Sequence, residues 1–301
     1  MKKDSKPTII GPAVLRRMPV PEPLEEDDKE ARGRVLVVGG SREMPGALVL
    51  AATAALRAGA GKLRIATVRS VASLVAASVP EARVFHLPET KSGALGASAV
   101  AEVAVYAGDV QAVCIGPGMI DERATTAFVK KLLPRIESAV VVLDADALNV
   151  LARDRELLHV LEGRAVVTPH AEEMAGISGV DKSEIADDAL NAARRAATEL
   201  RAVVVLKGRE TFIVGPTGKA YSNRAGNVGL ATSGSGDVLS GLIAGLAARG
   251  AEALTAAVWG VHLHALAGDL LAERVGKLGF LARELPGEIP RLMSDLSGGK
   301  R

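Results

Sequence analysis

The sequence predicts an α/β fold in which helices cover both faces of a mostly parallel sheet, a three-layer αβα sandwich. Short runs of Val, Ile and Leu alternate with Ala/Leu-rich helical segments, and continuously apolar strands are typical of buried parallel sheets. The chain has 301 residues, 48% of them hydrophobic, and no linker or repeat divides it. We therefore expect an irregular lead-in over residues 1–33 and one domain over residues 34–301.

The order of the elements follows from the hydrophobic pattern. The predicted strands are residues 34–38, 62–68, 83–87, 112–115, 139–143, 165–167 and 202–206, with a hairpin over residues 211–214 and 219–222. The predicted helices are residues 46–57, 71–78, 98–106, 122–133, 147–152, 182–200, 236–248, 251–275 and 281–296. In folds of this kind ligands bind beyond the carboxyl ends of the strands, so the residues at those ends are the candidates for function.

Composition excludes several classes of function. With a net charge of +2 and 2% aromatic residues, the sequence shows neither the excess of basic residues nor the stacking aromatic residues that nucleic-acid binding uses. Cys114 is the only cysteine, so an internal disulfide and a cysteine-based metal site are excluded, and its apolar neighbours predict a buried side chain. The first residues lack the apolar core of a signal peptide, and no apolar run reaches membrane-spanning length. A cytoplasmic protein that does not associate with membranes is expected.

The strongest functional signal is the stretch from residue 223 to residue 241. It contains Ser233, Gly234, Ser235, Gly236 and Asp237, after which an apolar helical pattern begins at once. Glycines let backbone N–H groups point into one concavity, and a helix adds its positive N-terminal end. The pattern therefore predicts a phosphate site with Asp237 at its lip. The alternative is a tight turn in which Asp237 only complements the helix dipole.

Polar or glycine-rich residues follow most of the other predicted strands. A lysine beside a turn glycine can contact phosphate, acidic strand ends suit Mg²⁺ or a polar substrate, and a histidine can donate or accept a hydrogen bond. Each of these segments also fits an ordinary turn or helix cap, but the ends of parallel strands meet at one edge. The segments are residues 39–41 and 45–47, residues 116–118, Asp144 with Asp146 and Asn149, His170 with Glu173, and residues 207–211. His262 and His264 lie in an Ala/Leu-rich helix, where a packed or surface position is expected.

Taken together, these segments resemble the NAD(P)H-hydrate dehydratases, a branch of the ribokinase-like superfamily. The matching pieces, in the family's order, are residues 39–41, 45–47, 54–61, 116–118, 143–149, 168–170 with 173, 207–208 and 223–237. The resemblance implies a repair enzyme that removes water from (S)-hydrated NADH and NADPH. It implies ADP or ATP as co-substrate and favours ADP, which would give AMP and phosphate. It also implies Mg²⁺.

The resemblance also implies roles for individual residues. Asp237 corresponds to the catalytic acidic residue that contacts the substrate. The implied contacts to the hydrated dinucleotide are Ala47, Gly118, His170 and Asp237. The implied nucleotide contacts are Lys207, Gly208, Arg209, Glu210, Thr211, Ser233, Gly234, Ser235 and Gly236. Asp144, Asp146 and Asn149 would form a polar environment open to a metal, with no direct metal ligand identified.

Two other functions use the same loop and acid. One is a small-molecule kinase of the superfamily acting on a hydroxymethylpyrimidine or a hydroxyethylthiazole, and the other is a non-catalytic nucleotide-binding regulator. This sequence differs from the residues common in the dehydratases at Met44, at Val228 and at the pair Ala171-Glu172. These positions lie in loops, so the differences affect how the ligand fits more than which reaction takes place. Relatives imply a homotetramer. Because the lead-in is too short for an epimerase domain, an epimerase would be a separate protein.

Overall fold

The computed structural model describes residues 6–24, 26 and 28–298. Residues 1–5, 25 and 27 of the expected lead-in, and residues 299–301 of the expected domain, lie outside the described residues. Within the described ranges, one ten-stranded sheet has the order β1-β10-β9-β8-β7-β6-β5-β2-β3-β4. Its strands are β1 Thr8–Ile9, β2 Arg34–Val38, β3 Lys62–Val68, β4 Ala82–Leu87, β5 Ala112–Ile115, β6 Val140–Leu143, β7 Ala165–Val167, β8 Val203–Leu206, β9 Thr211–Val214 and β10 Ala220–Asn223.

Most neighbouring strands are parallel, as the sequence predicts. Strands β2 to β8 pair in parallel throughout, and β9 is antiparallel to both β8 and β10. The α-helices are α1 Pro12–Leu15, α2 Pro45–Arg57, α3 Arg69–Ser78, α4 Val100–Ala107, α5 Glu122–Leu132, α6 Ala171–Ser178, α7 Lys182–Asp187, α8 Ala189–Leu200, α9 Ser235–Ala248, α10 Ala253–Arg274 and α11 Leu285–Ser297.

Helices cover both faces of the sheet. The connections through α2 and α3 lead outward towards β4, whereas those through α4, α5 and α6 to α8 lead towards β8. Right-handed crossovers in opposite directions place their helices on opposite faces. Helix α9 packs on α2 and α10, and α11 packs on α10 and α2, which completes the first face. The expected three-layer αβα sandwich is confirmed.

The direction of the chain reverses beside β2, whose neighbours in the sheet are β5 and β3. Such a reversal leaves a crevice at the carboxyl ends of the two strands that flank it. Here these are β2 and β5, which are followed by residues 39–41 and 116–118. The topology therefore places two of the glycine segments at the point where α/β sheets bind ligands.

The lead-in is more ordered than the sequence predicts. Thr8–Ile9 adds an edge strand parallel to β10, and Pro12–Leu15 forms a short helix. The indole nitrogen of Trp259 donates to the carbonyl of Met18 at 2.6 Å. These long-range contacts hold the segment on the domain, and no local sequence pattern signals them.

Two helical assignments also differ. The helix predicted over residues 182–200 is two helices, α7 and α8, because the backbone leaves helical geometry at Asp188. Helix α6 is absent from the prediction, and it begins directly after His170, which caps it. Its start matters because it fixes the direction of that histidine.

The core is aliphatic and continuous across both faces of the sheet. Cys114 is fully buried in β5, as predicted, and burial raises the pKa of its thiol. Helix α10 is long and apolar enough to span a membrane by length and composition, although the sequence analysis finds no such run. In this fold 72% of its most apolar window is buried, packed on α9 and α11, as expected of a core helix.

Candidate active site

The loops after β2 and β5 join with the start of α2 to form a region built from backbone, here called the glycine-lined region (Gly39, Gly40, Ala47 and Gly118). The N–H of Gly40 donates to the carbonyl of Pro117 at 2.7 Å. A Cβ atom at Gly39 would lie 2.2 Å from that same carbonyl oxygen. The two loops therefore touch backbone to backbone, and a side chain at Gly39 would push them apart.

Gly118 completes this region. Its φ of +69° lies in the left-handed range, and a Cβ atom there would lie 2.3 Å from the carbonyl oxygen of Met44 and 3.2 Å from the Cβ of Ala47. Only glycine fits this conformation without strain. The structure thus brings Ala47 and Gly118 together, although 70 positions separate them in the sequence.

A cluster of charged side chains lies at the ends of β6, β7 and β8. The carboxylate Oδ1 of buried Asp144 accepts from the hydroxyl of Thr168 at 2.7 Å and from Nζ of Lys207 at 3.3 Å. The same ammonium lies 3.7 Å from Oε2 of Glu173. Burial alone would lower the pKa of Lys207, but the charges of Asp144 and Glu173 raise it overall. The lysine therefore remains a cation at neutral pH.

His170 is exposed beside this cluster and has a fixed ring orientation. Its Nδ1 accepts from the backbone N–H groups of Glu172 and Glu173, at 3.2 and 3.1 Å, which caps α6. The ring proton is therefore on Nε2, where it can be donated to a ligand. Glu173 completes the cap by accepting from the N–H of His170 at 2.7 Å. Glu173 thus contacts His170 on one side and faces Lys207 on the other.

The loop before α9 turns at Gly234, whose φ is +88°, and the helix begins at Ser235. Gly236 faces the charged cluster, since a Cβ atom there would lie 3.6 Å from Nζ of Lys207 and 3.7 Å from Oδ2 of Asp144. The start of α9 therefore lies beside Lys207. An anion at this point could contact the ammonium of Lys207 and the backbone N–H of Gly236.

Asp237 lies in the first turn of α9 and is partly buried. Burial, followed by the negative charge of Asp144, raises the pKa of Asp237 to about 7, while the charge of Lys207 opposes this rise. A carboxyl group with a pKa near 7 exists in both protonation states at neutral pH. It can therefore accept and return a proton during a reaction.

A cavity of about 800 Å³ opens next to Lys207 and the start of α9. One wall is polar and comes from the turn after β8 and from α9; its lining residues include Lys207, Gly208, Arg209, Thr211, Ser235 and Gly236. The other lining residues, here called the apolar wall, are mostly apolar and include Val228, Leu230, Ala231, Leu239 of α9, Val261 and Ala265. An elongated ligand with a charged end and a flat apolar end matches such a cavity.

Not every predicted contact lines this cavity. Glu210 points to the surface, where its carboxylate accepts from Nε of Arg224 at 2.9 Å. Ser233 and Gly234 shape the turn that leads into α9, and Gly234 packs on Leu50. Ala47 and Gly118 lie outside the cavity, in the glycine-lined region. His170 lies on the rim of the cavity and is among its lining residues.

The expected polar environment after β6 is present only in part. Asp144 joins the charged cluster, whereas Asp146 and Asn149 lie along a 3₁₀ helix, Ala145–Ala152. Burial, together with the charges of Glu122 and Glu173, raises the pKa of Asp146. Across residues 6–24, 26 and 28–298, no three His, Cys, Asp or Glu side chains are grouped as a metal site. Oδ2 of Asp144 faces Gly236, a position that suits a cation held mainly by phosphate and water.

The structure adds residues that the sequence analysis does not assign to the site. Thr168 could have been found from strand register, since β6 and β7 pair Leu143 with Val167 and so place Asp144 beside Thr168. His264 could not, because only the packing of α10 on α9 brings it to the cavity. The expectation of a packed position is right for both histidines, which are buried, but His264 also lies against Ser235.

Comparison with known proteins agrees with this geometry. The family described as NAD(P)H-hydrate dehydratase matches residues 35–291. The ADP-dependent (S)-NAD(P)H-hydrate dehydratase of Xanthomonas campestris pv. campestris is 49% identical over 293 residues, which cover 96% of this chain and 97% of that protein.

Solved structures give the same result. A ribokinase-like superfamily protein from Enterococcus faecalis superposes with a TM-score of 0.82, at 25% identity and 96% coverage of both chains. The ADP/ATP-dependent NAD(P)H-hydrate dehydratase of Bacillus subtilis, co-crystallised with ATP and Mg²⁺, gives a TM-score of 0.78 at 28% identity, covering 97% of this chain and 100% of that one. The fold is ribokinase-like, and the chain belongs to the NAD(P)H-hydrate dehydratase family.

Proposed function

We propose that this chain is an ADP-dependent (S)-NAD(P)H-hydrate dehydratase, which removes water from hydrated NADH and NADPH and restores their nicotinamide ring. The observation that carries the proposal is the meeting of Lys207, Asp144 and the start of α9 at Asp237, whose pKa is raised to about 7. A cavity suited to phosphate is thus lined by Gly236, and the next residue, Asp237, carries a carboxyl group that can take up a proton at neutral pH. The family membership of the chain supplies the substrate class.

The nucleotide would occupy the cavity. Its phosphates fit the polar wall, where Lys207, the N–H groups of Gly208 and Gly236 and the hydroxyl groups of Thr211 and Ser235 can contact them. Its base fits the apolar wall. Arg209 lies on the lining and can approach the nucleotide, whereas Glu210, Ser233 and Gly234 would act through their backbone, by holding the two turns in shape.

The hydrated dinucleotide would bind across the glycine-lined region, with Ala47 and Gly118 allowing close approach to the backbone. The Nε2 proton of His170 can be donated to its polar groups. The hydrated ring would then lie on the side of Asp237 opposite to the nucleotide. Asp237 would then be the residue at which the two substrates meet.

The reaction would proceed in two steps. Asp237 accepts the proton of the ring hydroxyl while that oxygen attacks the terminal phosphate of ADP, and AMP leaves. The ring then loses the phosphate together with a proton from the neighbouring ring carbon, which restores the double bond. Phosphate is a far better leaving group than hydroxide, so cleavage of the nucleotide drives the elimination. The backbone N–H of Gly236 would stabilise the transferring phosphoryl group, while the N–H of Ser235 donates to the carbonyl of Thr232 at 3.2 Å and holds the turn.

A magnesium ion fits this site in one way. Oδ1 of Asp144 is occupied by Thr168 and Lys207, whereas Oδ2 faces Gly236, where phosphate oxygens would lie. Asp144 would therefore hold Mg²⁺ with one oxygen, directly or through water, with Asp146 and Asn149 as polar neighbours. When bound with the nucleotide, the ion supplies positive charge to the phosphates.

We also propose a cytoplasmic homotetramer with one catalytic domain over residues 34–301. Large apolar side chains are exposed on several elements, including Leu74 on α3, Val105 on α4 and Leu278 before α11, which supports burial against further copies of the chain. Light scattering of the purified chain tests the oligomeric state. A monomer at micromolar concentration would contradict it.

The function is tested with the purified chain, (S)-hydrated NADH and Mg²⁺, with ADP or ATP added in parallel. Recovery of the near-ultraviolet absorbance of NADH is expected with ADP, with AMP and phosphate formed in equal amounts. The (R) epimer and a reaction without nucleotide are the controls. Phosphorylation of a hydroxymethylpyrimidine or hydroxyethylthiazole without NADH recovery would instead identify a kinase. Nucleotide binding without either reaction would identify a regulator.

A further inference from the structure

His264 touches the first residue of α9 from the neighbouring helix. Its Nε2 atom lies 3.0 Å from both the hydroxyl oxygen and the carbonyl oxygen of Ser235. Both side chains are buried, and both residues line the cavity. The histidine therefore lies directly behind the side chain that would face the phosphates.

The two contacts fix where the protons lie. A carbonyl oxygen can only accept, so the ring proton of His264 is on Nε2 and is donated to Ser235. The hydroxyl oxygen of Ser235 lies beside the same N–H and also accepts from it. The hydroxyl proton of Ser235 then has no acceptor on the ring and is available on the cavity side. Burial lowers the pKa of His264 to about 4, so the ring stays neutral and this arrangement holds at neutral pH.

We infer that His264 is a positioning residue that keeps the Ser235 hydroxyl turned outward as a donor to a phosphate group of the nucleotide. The inference rests on the proposed nucleotide site. Ser235 is the first residue of α9 and lines the same cavity as Lys207, so an outward hydroxyl adds a neutral donor to a cationic one. A serine free to rotate would spend part of its time with its proton directed elsewhere, and the phosphate would lose that bond.

The test is calorimetric binding of ADP and of adenosine, which lacks the anion, to the full chain without dinucleotide. We expect Ser235→Ala and His264→Leu each to weaken ADP binding about tenfold, as for one hydrogen bond to a charged group. The double variant should also lose about tenfold, rather than about a hundredfold, because both changes remove the same bond. Adenosine binding should change less than about threefold in all three variants.

Conservative variants separate the hydrogen bond from packing. The amide nitrogen of Gln can reach the Nε2 position, so His264→Gln should retain ADP affinity within about threefold, whereas the shorter His264→Asn should lose it. This pair also carries the test if His264→Leu does not fold. His262→Leu is the matched control, because His262 is buried in the same helix and contacts Asn223 rather than Ser235.

Multiplicative losses in the double variant, or equal losses for ADP and adenosine in His264→Leu, would overturn the inference and leave the proposed function standing. Absence of ADP binding by the unmodified chain would overturn both. Turnover is not needed for either result.

Discussion

The glycine-lined region and the polar cavity lie at the ends of strands in one sheet, yet they are built in opposite ways. Beside the cavity, polar side chains contact one another: Lys207 bridges two carboxylates, and His264 lies within hydrogen-bond distance of Ser235. In the glycine-lined region, side chains are missing, and backbone lies against backbone at Gly39 and Gly118. A substitution in the cavity therefore removes a charge or a donor, whereas a substitution in the glycine-lined region adds an atom where none fits.

This difference predicts two kinds of mutational effect. Loss of a charge in the cavity should alter affinity for the nucleotide and the pH dependence of turnover, because the pKa of Asp237 depends first on burial and then on the charges of Asp144 and Lys207. An added methyl group in the glycine-lined region should alter stability and affinity for the hydrated dinucleotide, with the pH dependence unchanged. Variants in each region, measured with the same assays, test whether the two regions differ in these effects.

Lys207→Met should have the largest effect of these variants, a loss of about 10²- to 10³-fold in kcat/KM, because the charge on the transferring phosphate loses its cation. The pH profile should also move. Asp237 must be deprotonated to act as a base, so kcat/KM of the unmodified chain should rise with pH, with the midpoint of the rise at about pH 7, and then level off. The charge of Lys207 lowers the pKa of Asp237, so its removal should shift this rise to higher pH.

Lys219→Met is the control for Lys207→Met, since Lys219 is exposed beside Tyr221 on the nearby hairpin. It should leave the rate and the pH profile unchanged. A Lys207→Met variant with an unshifted pH profile would show that the charged cluster does not set the pKa of the base.

Gly118→Ala should have the next largest effect. The new Cβ atom would lie 2.3 Å from the carbonyl of Met44 at a residue with positive φ, which costs about 1–3 kcal/mol of stability through strain. We expect a lower Tm and a KM for the hydrated dinucleotide raised about tenfold, with the KM for ADP changed little. Gly218→Ala is matched to it, because Gly218 also has positive φ but no atom within 4 Å of the added Cβ. If both variants behaved alike, the close approach at Gly118 would have no role.

Glu173→Gln should have the smallest effect and should act on both regions. Glu173 fixes the backbone at His170 through a 2.7 Å hydrogen bond and faces Lys207 at 3.7 Å. A neutral amide can keep the first contact but weakens the second, so both KM values should rise by about two- to fivefold. Steady-state kinetics with each substrate varied in turn checks this, with exposed Glu172→Gln as the control. An effect confined to one KM would show that Glu173 does not connect the regions.

Much of the fold follows from the sequence because strands and parallel topology have local signals. Apolar runs bounded by glycine predict strands such as β2 and β5 with their observed bounds. The residues that follow the predicted strands include most of the candidate site. Local patterns fail where a distant contact decides the outcome. The edge strand Thr8–Ile9 is such a case, because it forms only by pairing with β10. The capping of α6 is local, but its N-cap is His170 rather than one of the usual Ser, Thr, Asp or Asn residues.

The candidate site shows the same limit. Lys207, Gly236 and Asp237 could be expected at one sheet edge, and the structure brings Lys207 and Gly236 to within contact of Asp144. The directions of two other side chains could not be expected. Glu210 points away from the cavity, and buried His264 contacts Ser235. Side-chain direction depends on packing between helices, which a single sequence does not display.

The central claim is that Asp237 is the one carboxyl group at which the nucleotide and the hydrated dinucleotide meet. The direct measurement compares Asp237→Asn with the unmodified chain, recording turnover by NADH absorbance and the affinity of each substrate by calorimetry in the same buffer. Asn keeps the size of the side chain but cannot accept the ring proton. We expect turnover reduced at least about 10³-fold, with the affinity for ADP and hydrated NADH largely retained. Near-normal turnover in this variant would contradict the catalytic role of Asp237.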